Sequence, residues 1–507
     1  MSSSKAQDIA VVVSPGPEPI LTASATAKRT GKDVGDATVD EFSHEAALTA
    51  LTTDEEQKLI RRVDWRLVPL LCMLYLMKID ENNATNAKIM NKGTDRNILT
   101  QLWISSDQFS MITVLYTYHV PYILAEIPSN LLLKKVRPHI WQSRIMISWG
   151  LVTACTAAVK DLGGLYAVRF MLGLTEAGMF PAIILQMIYW YRPDEIAVRL
   201  VWIYSVGNVA GILGGVLAYG FYEVSGAGNI SGWQWLFIVK SAVTIVLAVV
   251  VFFCLPDFPA TTKWLSPKEE AFLQARLPQN SPRAAEKNFV FKEVVKTFLD
   301  RRLWLFTLSW ACMTSGSSGV NNIATAQILN IPMSALTIIF IIIGGYTSAR
   351  ATVPLPVFPI TCTIVVIACY SVLVAYPNVI GVYIAMMIGN AASVTWFPMM
   401  WSWRSQTVNG ATGSAFAIGF VNSYGQVGDA VGPQMFKDEY KPRYQLPFGL
   451  SMGLVAACGL TNLCTWWVTR QTESDTRKHK LARLKAKKAN EAVLDDVLDH
   501  DLERARG

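Results

Sequence analysis

Charged residues are scarce in this chain of 507 residues: they make up 16% of it, whereas 52% of the residues are hydrophobic. A soluble globular protein carries about 25% charged residues, so the shortage excludes an ordinary soluble fold for most of the chain. The charges that are present concentrate at the two ends and in one stretch near the middle. The remainder consists of long apolar runs, which indicate a protein that crosses a membrane many times.

Motifs that other function classes require are also missing. The chain has no G-x-x-x-x-G-K-[ST] phosphate loop, so we expect no ATPase. We also predict that the protein is not an enzyme. The eight cysteines show no metal or redox spacing; we read them as small core residues and expect no metal and no cofactor. The net charge of +7 comes from basic residues in the tails and alternate loops, which is a pattern of membrane topology and not of nucleic-acid binding. Because no cleavable signal pattern opens the chain, we expect the first span to act as the targeting signal.

Twelve apolar runs fall into two groups of six around a basic hydrophilic segment. We predict an all-α membrane protein with a disordered N-terminal tail at 1–64, six-helix halves at 65–256 and 303–469, a central loop at 257–302 and a charged tail at 470–507. A short charged helix at about Thr53–Arg62 is predicted to lead into the first span. Basic residues favour the loops on the side of the termini, so both termini and the central loop are predicted to be cytosolic. Such an arrangement is typical of transporters that bind substrate at the midplane between their halves.

The fourth run, from about Leu165 to Trp190, contains Arg169 and Glu176. Seven residues apart, they share a helical face. A charge at membrane depth costs on the order of 2.5–3.5 kcal/mol, so the pair is predicted to face inward along a polar pathway. In that interpretation Arg169 binds an anionic group and Glu176 exchanges a proton. The alternative is a structural ion pair, with Asp80 as a further candidate partner of Arg169.

Other ionisable residues within apolar runs are weaker candidates for the substrate and proton pathway. Asp80 and Glu81 are adjacent in the first run and point to different faces. His119 in the second run could relay protons, because an unperturbed histidine titrates near pH 6.5. Asp429 in the eleventh run shares a face with Asn422 and could line the second half of the cavity.

The seventh run is short. The stretch 303–349 carries no charged residue, yet it must supply two spans of about 20 residues each and a loop. Its shortness indicates either a broken seventh helix or a segment missing from the chain, and we favour the second interpretation.

Two further features concern the membrane surfaces. The sequon Asn229-Ile230-Ser231 lies in the predicted outer loop between the fifth and sixth spans, so Asn229 is a predicted glycosylation site. Trp396, Trp401 and Trp403 are predicted to form a belt at the membrane interface.

Several ordered motifs carry a family resemblance. The fourth run reads R-x-x-L-G-x-x-E-A-G-x-x-P from Arg169 to Pro181, the second ends EIPSNLLLKK at Glu126–Lys135, the fifth carries a paired-glycine pattern after Arg199, and the sixth opens GWQWLFIVK at Gly232–Lys240. In these stretches the chain resembles the fungal allantoate-permease-like branch of the anion:cation symporters, within the major facilitator superfamily. In the first span Glu81 stands where that family has arginine, and in the sixth Gln234 and Lys240 replace arginine and glutamate.

The resemblance implies the major facilitator fold, with twelve transmembrane helices in two six-helix halves, in the plasma membrane. It also implies a secondary active transporter, and we predict proton-coupled uptake of a small organic anion such as a vitamin, a ureide or another carboxylate. The predicted partners are the small-molecule substrate, protons and the lipid bilayer. Two alternatives stay open: an exporter of a secondary metabolite from a biosynthetic pathway, and a transport-inactive or truncated family member.

Overall fold

A computed structural model describes residues 51–77, 86–105, 108–109, 119–133, 135–277, 289–321, 330–408, 410–436, 440 and 443–489. Within these ranges every regular element is a helix. Asp80 and Glu81 lie outside the described residues.

The first group of helices begins with a capped helix and ends with another. Its members are α1 Thr53–Leu76, α2 Ile98–Leu102, α3 His119–Leu133, α4 Pro138–Thr156, α5 Leu162–Glu176, α6 Met179–Trp190, α7 Ile196–Glu223 and α8 Gly232–Cys254. Thr52 with Glu55, and Ser231 with Gln234, form capping boxes that satisfy the first N–H groups of α1 and α8. The short helix predicted at Thr53–Arg62 is therefore the start of one 24-residue helix.

Two short helices, α9 Pro267–Ala275 and α10 Phe291–Phe298, lie in the central segment. The second group follows as α11 Arg301–Asn321, α12 Asn330–Ala349, α13 Val357–Ala375, α14 Val379–Ser405, α15 Ala411–Val431 and α16 Gln445–Ala489. With 45 residues α16 is about 68 Å long. It exceeds the roughly 30 Å hydrocarbon layer and continues into the segment predicted as the charged tail.

Seven helical segments in the described ranges are long and apolar enough to cross a bilayer by themselves. They are Leu162–Trp190, Ile196–Glu223, Gly232–Cys254, Ile331–Ala349, Val357–Ala375, Val379–Ser405 and Gln445–Lys485. If α5 and α6 are taken together, α1 and α3–α8 supply six spans and α11–α16 supply six more. The twelve-helix plan in two halves is thereby confirmed.

The seventh span is helix α11, which runs without interruption over 21 residues. At 1.5 Å per residue it is about 31 Å long, enough for the hydrocarbon layer. The interpretation as a broken helix therefore does not hold for the described part of this span. A missing segment near it stays a prediction.

The two halves meet mainly along two helix pairs, α3 with α15 and α7 with α12, and α7 with α14 and α6 with α15 make smaller contacts. Small residues permit the approach of α7 and α12: a Cβ added to Gly345 would come 1.9 Å from Val201 Cγ2. The fifth span also packs closely at Gly207, where an added Cβ would lie 2.3 Å from Tyr75 Cε1 of α1.

Ion pairs gather at one end of the bundle, which we call the basic end and define by Arg199, Arg276 and Arg483. The Arg199 guanidinium donates to both carboxylate oxygens of Asp64 at 3.0 and 2.9 Å. Arg483 of α16 contacts Asp194, in the loop between α6 and α7, at 2.9 Å. This last contact joins the two halves at the basic end.

Candidate functional site

Arg169 and Glu176 both lie in α5, where Asp161 caps the first turn by accepting a 2.6 Å hydrogen bond from the Gly164 N–H. Because the helix is continuous from one to the other, the two-turn spacing keeps them on one face. Both side chains are buried, with 2% of Arg169 and 1% of Glu176 exposed. The Arg169 guanidinium carbon lies 5.8 Å from the centre of the Phe237 ring on α8, within cation–π range. The arrangement can present a positive and a titratable group to the same interior region.

The fourth span is broken beside Glu176, a feature that was not predicted from the sequence. Helix α5 ends at Glu176, and α6 starts at Met179 after Gly178, whose φ of +88° lies in the left-handed region. A Cβ at Gly178 would come 2.2 Å from Ser129 Oγ on α3. Glycine is thus required both by the backbone conformation and by the approach of α3. The break leaves Glu176 as the last helical residue.

Helix α6 is buried along all twelve of its residues. Gln142 of α4 donates to the Met179 carbonyl at 3.4 Å, close to the break. The second part of the fourth span is therefore enclosed by protein, although its sequence would suit contact with lipid equally well.

Aromatic rings join the two halves just after the break in the fourth span. Phe180 lies 5.4 Å from Tyr75 of α1 and 5.9 Å from Tyr204 of α7, measured between ring centres. Across the interface Phe180 lies 5.7 Å from Trp401 of α14, which in turn lies 4.6 Å from Trp310 of α11. We call these five residues the aromatic seam.

The aromatic seam corrects one prediction. Trp396, Trp401 and Trp403 are at most 1% exposed, so they do not form an interfacial belt. Trp396 instead packs 5.1 Å from Trp310, and the Trp403 indole donates to Thr469 Oγ1 at 3.2 Å. Tryptophan spacing alone could not distinguish these two roles, because α14 is apolar on all sides.

A carboxylate also bridges the halves. Glu126 of α3 is fully buried and accepts hydrogen bonds from the Asn422 amide and, at 2.7 Å, from the Ser423 hydroxyl of α15. One turn further along α3, the Asn130 amide donates to the Ala415 carbonyl at 2.8 Å. We call these contacts the cross-half clamp. Neither Glu126 nor Ser423 is among the predicted site residues; the EIPSN motif was the signal available in the sequence for Glu126.

The remaining predicted site residues occupy separate helices. His119 lies in the first turn of α3, two turns before Glu126, and is 2% exposed. Asp429 is half-buried on α15, two turns beyond Asn422. Asp80 and Glu81, named above as outside the described residues, have no structural placement. The pathway roles of these residues stay predictions.

At the basic end, acidic residues in the loop between α6 and α7 are held by cations. Burial by itself raises the pKa of Asp194, but the charges of Arg483 and Lys480 outweigh it and hold the pKa below its ordinary value. Burial is likewise outweighed at Glu195, where Arg276 is the main cation and the pKa is lowered. Both carboxylates are therefore ionised at neutral pH and keep this loop attached to α9 and α16.

The cysteines and the predicted sequon are also placed. All eight thiols are free; Cys72, Cys369 and Cys458 are buried, but Cys155, Cys254 and Cys464 are exposed, so the prediction of core positions fails for those three. Across the described ranges no group of three or more His, Cys, Asp or Glu is placed to hold a metal ion. Asn229 is exposed in the loop between α7 and α8.

Comparison with known proteins gives matches over most of the chain. The family model of the Major Facilitator Superfamily matches residues 82–433. The MFS-type transporter cnsO of Penicillium expansum is 29% identical over 448 residues, which cover 83% of this chain and 85% of that protein. A protein of Agrobacterium vitis named "Putative tartrate transporter" is 30% identical over 398 residues, covering 76% of this chain and 89% of that protein.

Solved structures of transporters share the fold. The outward-facing transporter FucP superposes with a TM-score of 0.58 at 12% identity, covering 78% of this chain and 98% of FucP. The human organic anion transporter MFSD10 gives a TM-score of 0.57 at 11% identity, covering 79% of this chain and 99% of MFSD10. At these identities the likeness concerns the fold alone.

Proposed function

Because this chain belongs to the Major Facilitator Superfamily and its relatives are transporters, we propose that it is a secondary transporter that takes up a small organic anion together with protons. The motifs from Arg169 to Pro181 and from Glu126 to Lys135 support placing it in the allantoate-permease-like branch.

The burial of Arg169 and Glu176 carries this proposal. An arginine and a glutamate that are 2% and 1% exposed lie on one face of a membrane-spanning helix. Each would cost several kcal/mol in lipid, and ionisable groups inside membrane proteins usually mark the path of an ion or a substrate. The break after Glu176 adds a helix start at the same depth, as in transporters that bind substrate at discontinuous helices.

The two side chains suit different parts of the transport cycle. The planar guanidinium of Arg169 can hold a substrate carboxylate through two parallel N–H···O bonds. Glu176 can accept a proton as the substrate arrives and release it on the other side, since protonation removes a charge from a low-dielectric site. Rocking of the halves would then require the cross-half clamp and the aromatic seam to separate.

A carboxylate substrate is also supported by one relative. The Agrobacterium vitis protein is named for tartrate, which is a small dicarboxylate. Helix α5 supplies a single arginine, so we propose that one carboxylate of the substrate meets Arg169.

The test is uptake in a host that lacks its own transporters, with a panel of radiolabelled small carboxylates that includes tartrate. We expect accumulation that rises as the external pH falls and collapses with a proton uncoupler. Uptake that is insensitive to the uncoupler would refute symport.

Variants separate the two roles. Arg169→Ala should raise the half-saturating substrate concentration at least tenfold, since a bidentate charged contact contributes about 1.5–3 kcal/mol. Glu176→Gln should abolish acceleration by a pH gradient while substrate exchange persists. Matched controls are Arg144→Ala, at an exposed arginine of α4, and Glu223→Gln, at an exposed glutamate of α7. Unchanged affinity in Arg169→Ala would exclude it as the anion ligand.

A second candidate is export of a secondary metabolite. Asp80 and Glu81 put two adjacent acids into the first span, which favours a neutral or cationic substrate over an anion. Efflux from preloaded cells, and biosynthetic genes beside the coding gene, would support export.

We propose that the basic end faces the cytosol and that the plasma membrane is the site of action. The excess of Lys and Arg in the loops at this end is what positive-inside topology requires. Sugar attached at Asn229, in a loop of the opposite side, would support this orientation, and cytosolic accessibility of that loop would refute it.

A further inference from the structure

Helix α10, Phe291–Phe298, lies at the basic end and is fastened to the second half by one of its faces. The Glu293 carboxylate accepts 3.0 Å hydrogen bonds from the N–H groups of Thr412 and Gly413, at the start of α15. Phe298 packs 5.9 Å from Phe420 of α15. The helix therefore has a fixed rotation about its axis.

The fixed rotation turns an apolar ridge outward. Phe291 is 67% exposed, Val295 41% and Leu299, just after the helix, 75%. At 100° per residue these three positions lie within about 80° of one another. No described residue covers them, so burying the ridge in an apolar medium would be favourable.

Two lysines lie side by side along one edge of the ridge. Lys292 and Lys296 are both exposed, and they follow next around the helix, between the ridge and the face held by Glu293. The order is thus an apolar ridge, a cationic strip and a protein-bound face. An amphipathic helix with this arrangement lies in the plane of a membrane surface, with its cations at the level of anionic headgroups.

The position of α10 in the chain favours a bilayer over a soluble partner. The membrane span α11 begins at Arg301, three residues after α10 ends, and the Trp304 indole of α11 donates to the Phe298 carbonyl at 2.8 Å. Trp304 and Leu308 of α11 are 42% and 50% exposed, so the ridge continues onto the outer, lipid-facing side of a span.

We propose that α10 is an interfacial helix: its Phe291–Val295–Leu299 ridge enters the leaflet at the basic end, and Lys292 and Lys296 bind anionic lipid headgroups. Because Glu293 caps α15, this site ties anionic lipid to the helix that carries Asn422 and Ser423 of the cross-half clamp. The proposal is independent of which substrate is transported.

The test places a bimane fluorophore on the ridge of the full chain. Leu299→Cys is labelled in a chain whose exposed cysteines, Cys155, Cys254 and Cys464, are replaced by alanine, and the protein is put into nanodiscs. Brominated phosphatidylserine or brominated phosphatidylcholine is the quencher, at equal total bromine. We expect quenching by both lipids and several-fold stronger quenching by phosphatidylserine.

Charge variants then test the lysines. Lys292→Gln combined with Lys296→Gln should remove the preference for phosphatidylserine. Each lost lysine should lower the affinity for the anionic lipid on the order of fivefold. The matched control is Lys263→Gln with Lys268→Gln, two exposed lysines near and on α9, and it should keep the preference.

Four results would overturn the proposal. Absence of quenching by either lipid would place the ridge outside the bilayer. Equal quenching by both lipids, or equal loss in the control variant, would remove the anionic recognition. Shielding of the fluorophore that depends on protein concentration and not on lipid would assign the ridge to a second copy of the chain.

Discussion

The cross-half clamp predicts that a single hydroxyl biases the protein toward a closed basic end. The Ser423 hydroxyl donates a 2.7 Å hydrogen bond to the buried Glu126 carboxylate of the other half. Ser423→Ala removes this donor but leaves the Asn422 bond to Glu126 in place. Opening of the basic end would separate α3 from α15 and break both bonds.

The magnitude follows from the chemistry of the lost bond. A hydrogen bond to a charged group contributes about 1.5–3 kcal/mol, and about 1.4 kcal/mol corresponds to a tenfold change in an equilibrium constant. The equilibrium constant for opening should therefore rise about 10- to 150-fold in Ser423→Ala. The matched control is Ser414→Ala, because Ser414 is equally buried in α15 but donates to the Gly410 carbonyl of its own half.

Double electron–electron resonance can follow the opening. Spin labels at Lys135→Cys, after α3, and Arg301→Cys, at the start of α11, report the distance between the halves, again with the three exposed cysteines replaced. We expect a longer-distance population that grows in Ser423→Ala and does not change in Ser414→Ala. An unchanged distribution in Ser423→Ala, or the same change in both variants, would refute the reasoning.

Three further predictions concern the break, the basic end and the sequon. Gly178→Ala should destabilise the purified protein for two reasons: strain of roughly 1–2 kcal/mol in the left-handed backbone, and a clash of the new Cβ with Ser129. Adding Ser129→Gly should restore only the stability lost through the clash. Thermal unfolding in detergent measures both changes. Asp194→Asn should lower the free energy of unfolding at pH 7 by about 1.5–3 kcal/mol, because it removes the charge that accepts the hydrogen bond from the half-buried Arg483. The pKa of Asp194 is lowered, so its stabilising ionised form persists throughout the range above the ordinary pKa of about 3.9. The difference in free energy of unfolding between Asp194→Asn and the wild type should therefore shrink only as the pH falls below that value. A constant difference down to pH 3 would contradict this account. Asn229→Gln should abolish any mobility shift caused by endoglycosidase in a eukaryotic host, and a shift that persists would assign the sugar elsewhere.

Much of the architecture was accessible from hydropathy. An apolar run of about 20 residues has few alternatives to a membrane helix, since every backbone polar group must be paired within lipid. Twelve such runs in two groups therefore predicted the twelve spans. The same local signal could not place Trp396 or Trp401, because an apolar side chain suits lipid and protein interior equally.

The candidate site was also predicted from the sequence only in part. Arg169 and Glu176 stand out because charge is expensive at membrane depth, and their seven-residue spacing places them on one face in any helix. The break after Glu176 was not predicted, although Gly178 is part of the motif that runs from Arg169 to Pro181. Glycine also serves helix packing in membranes, and only the φ of +88° and the approach of Ser129 distinguish the two uses.

By itself, the sequence determined that this is a membrane protein of many spans and that its fourth span carries a buried ion-pair candidate, because both conclusions rest on the cost of polar groups in lipid, residue by residue. The major facilitator type came from the resemblance of its motifs. The tertiary structure decided which residues join the halves. Glu126 meets Asn422 and Ser423 across nearly 300 positions of sequence, and Phe180 meets Trp401 across more than 200. Such pairs depend on how distant helices rotate and pack against each other, a property that no local pattern contains.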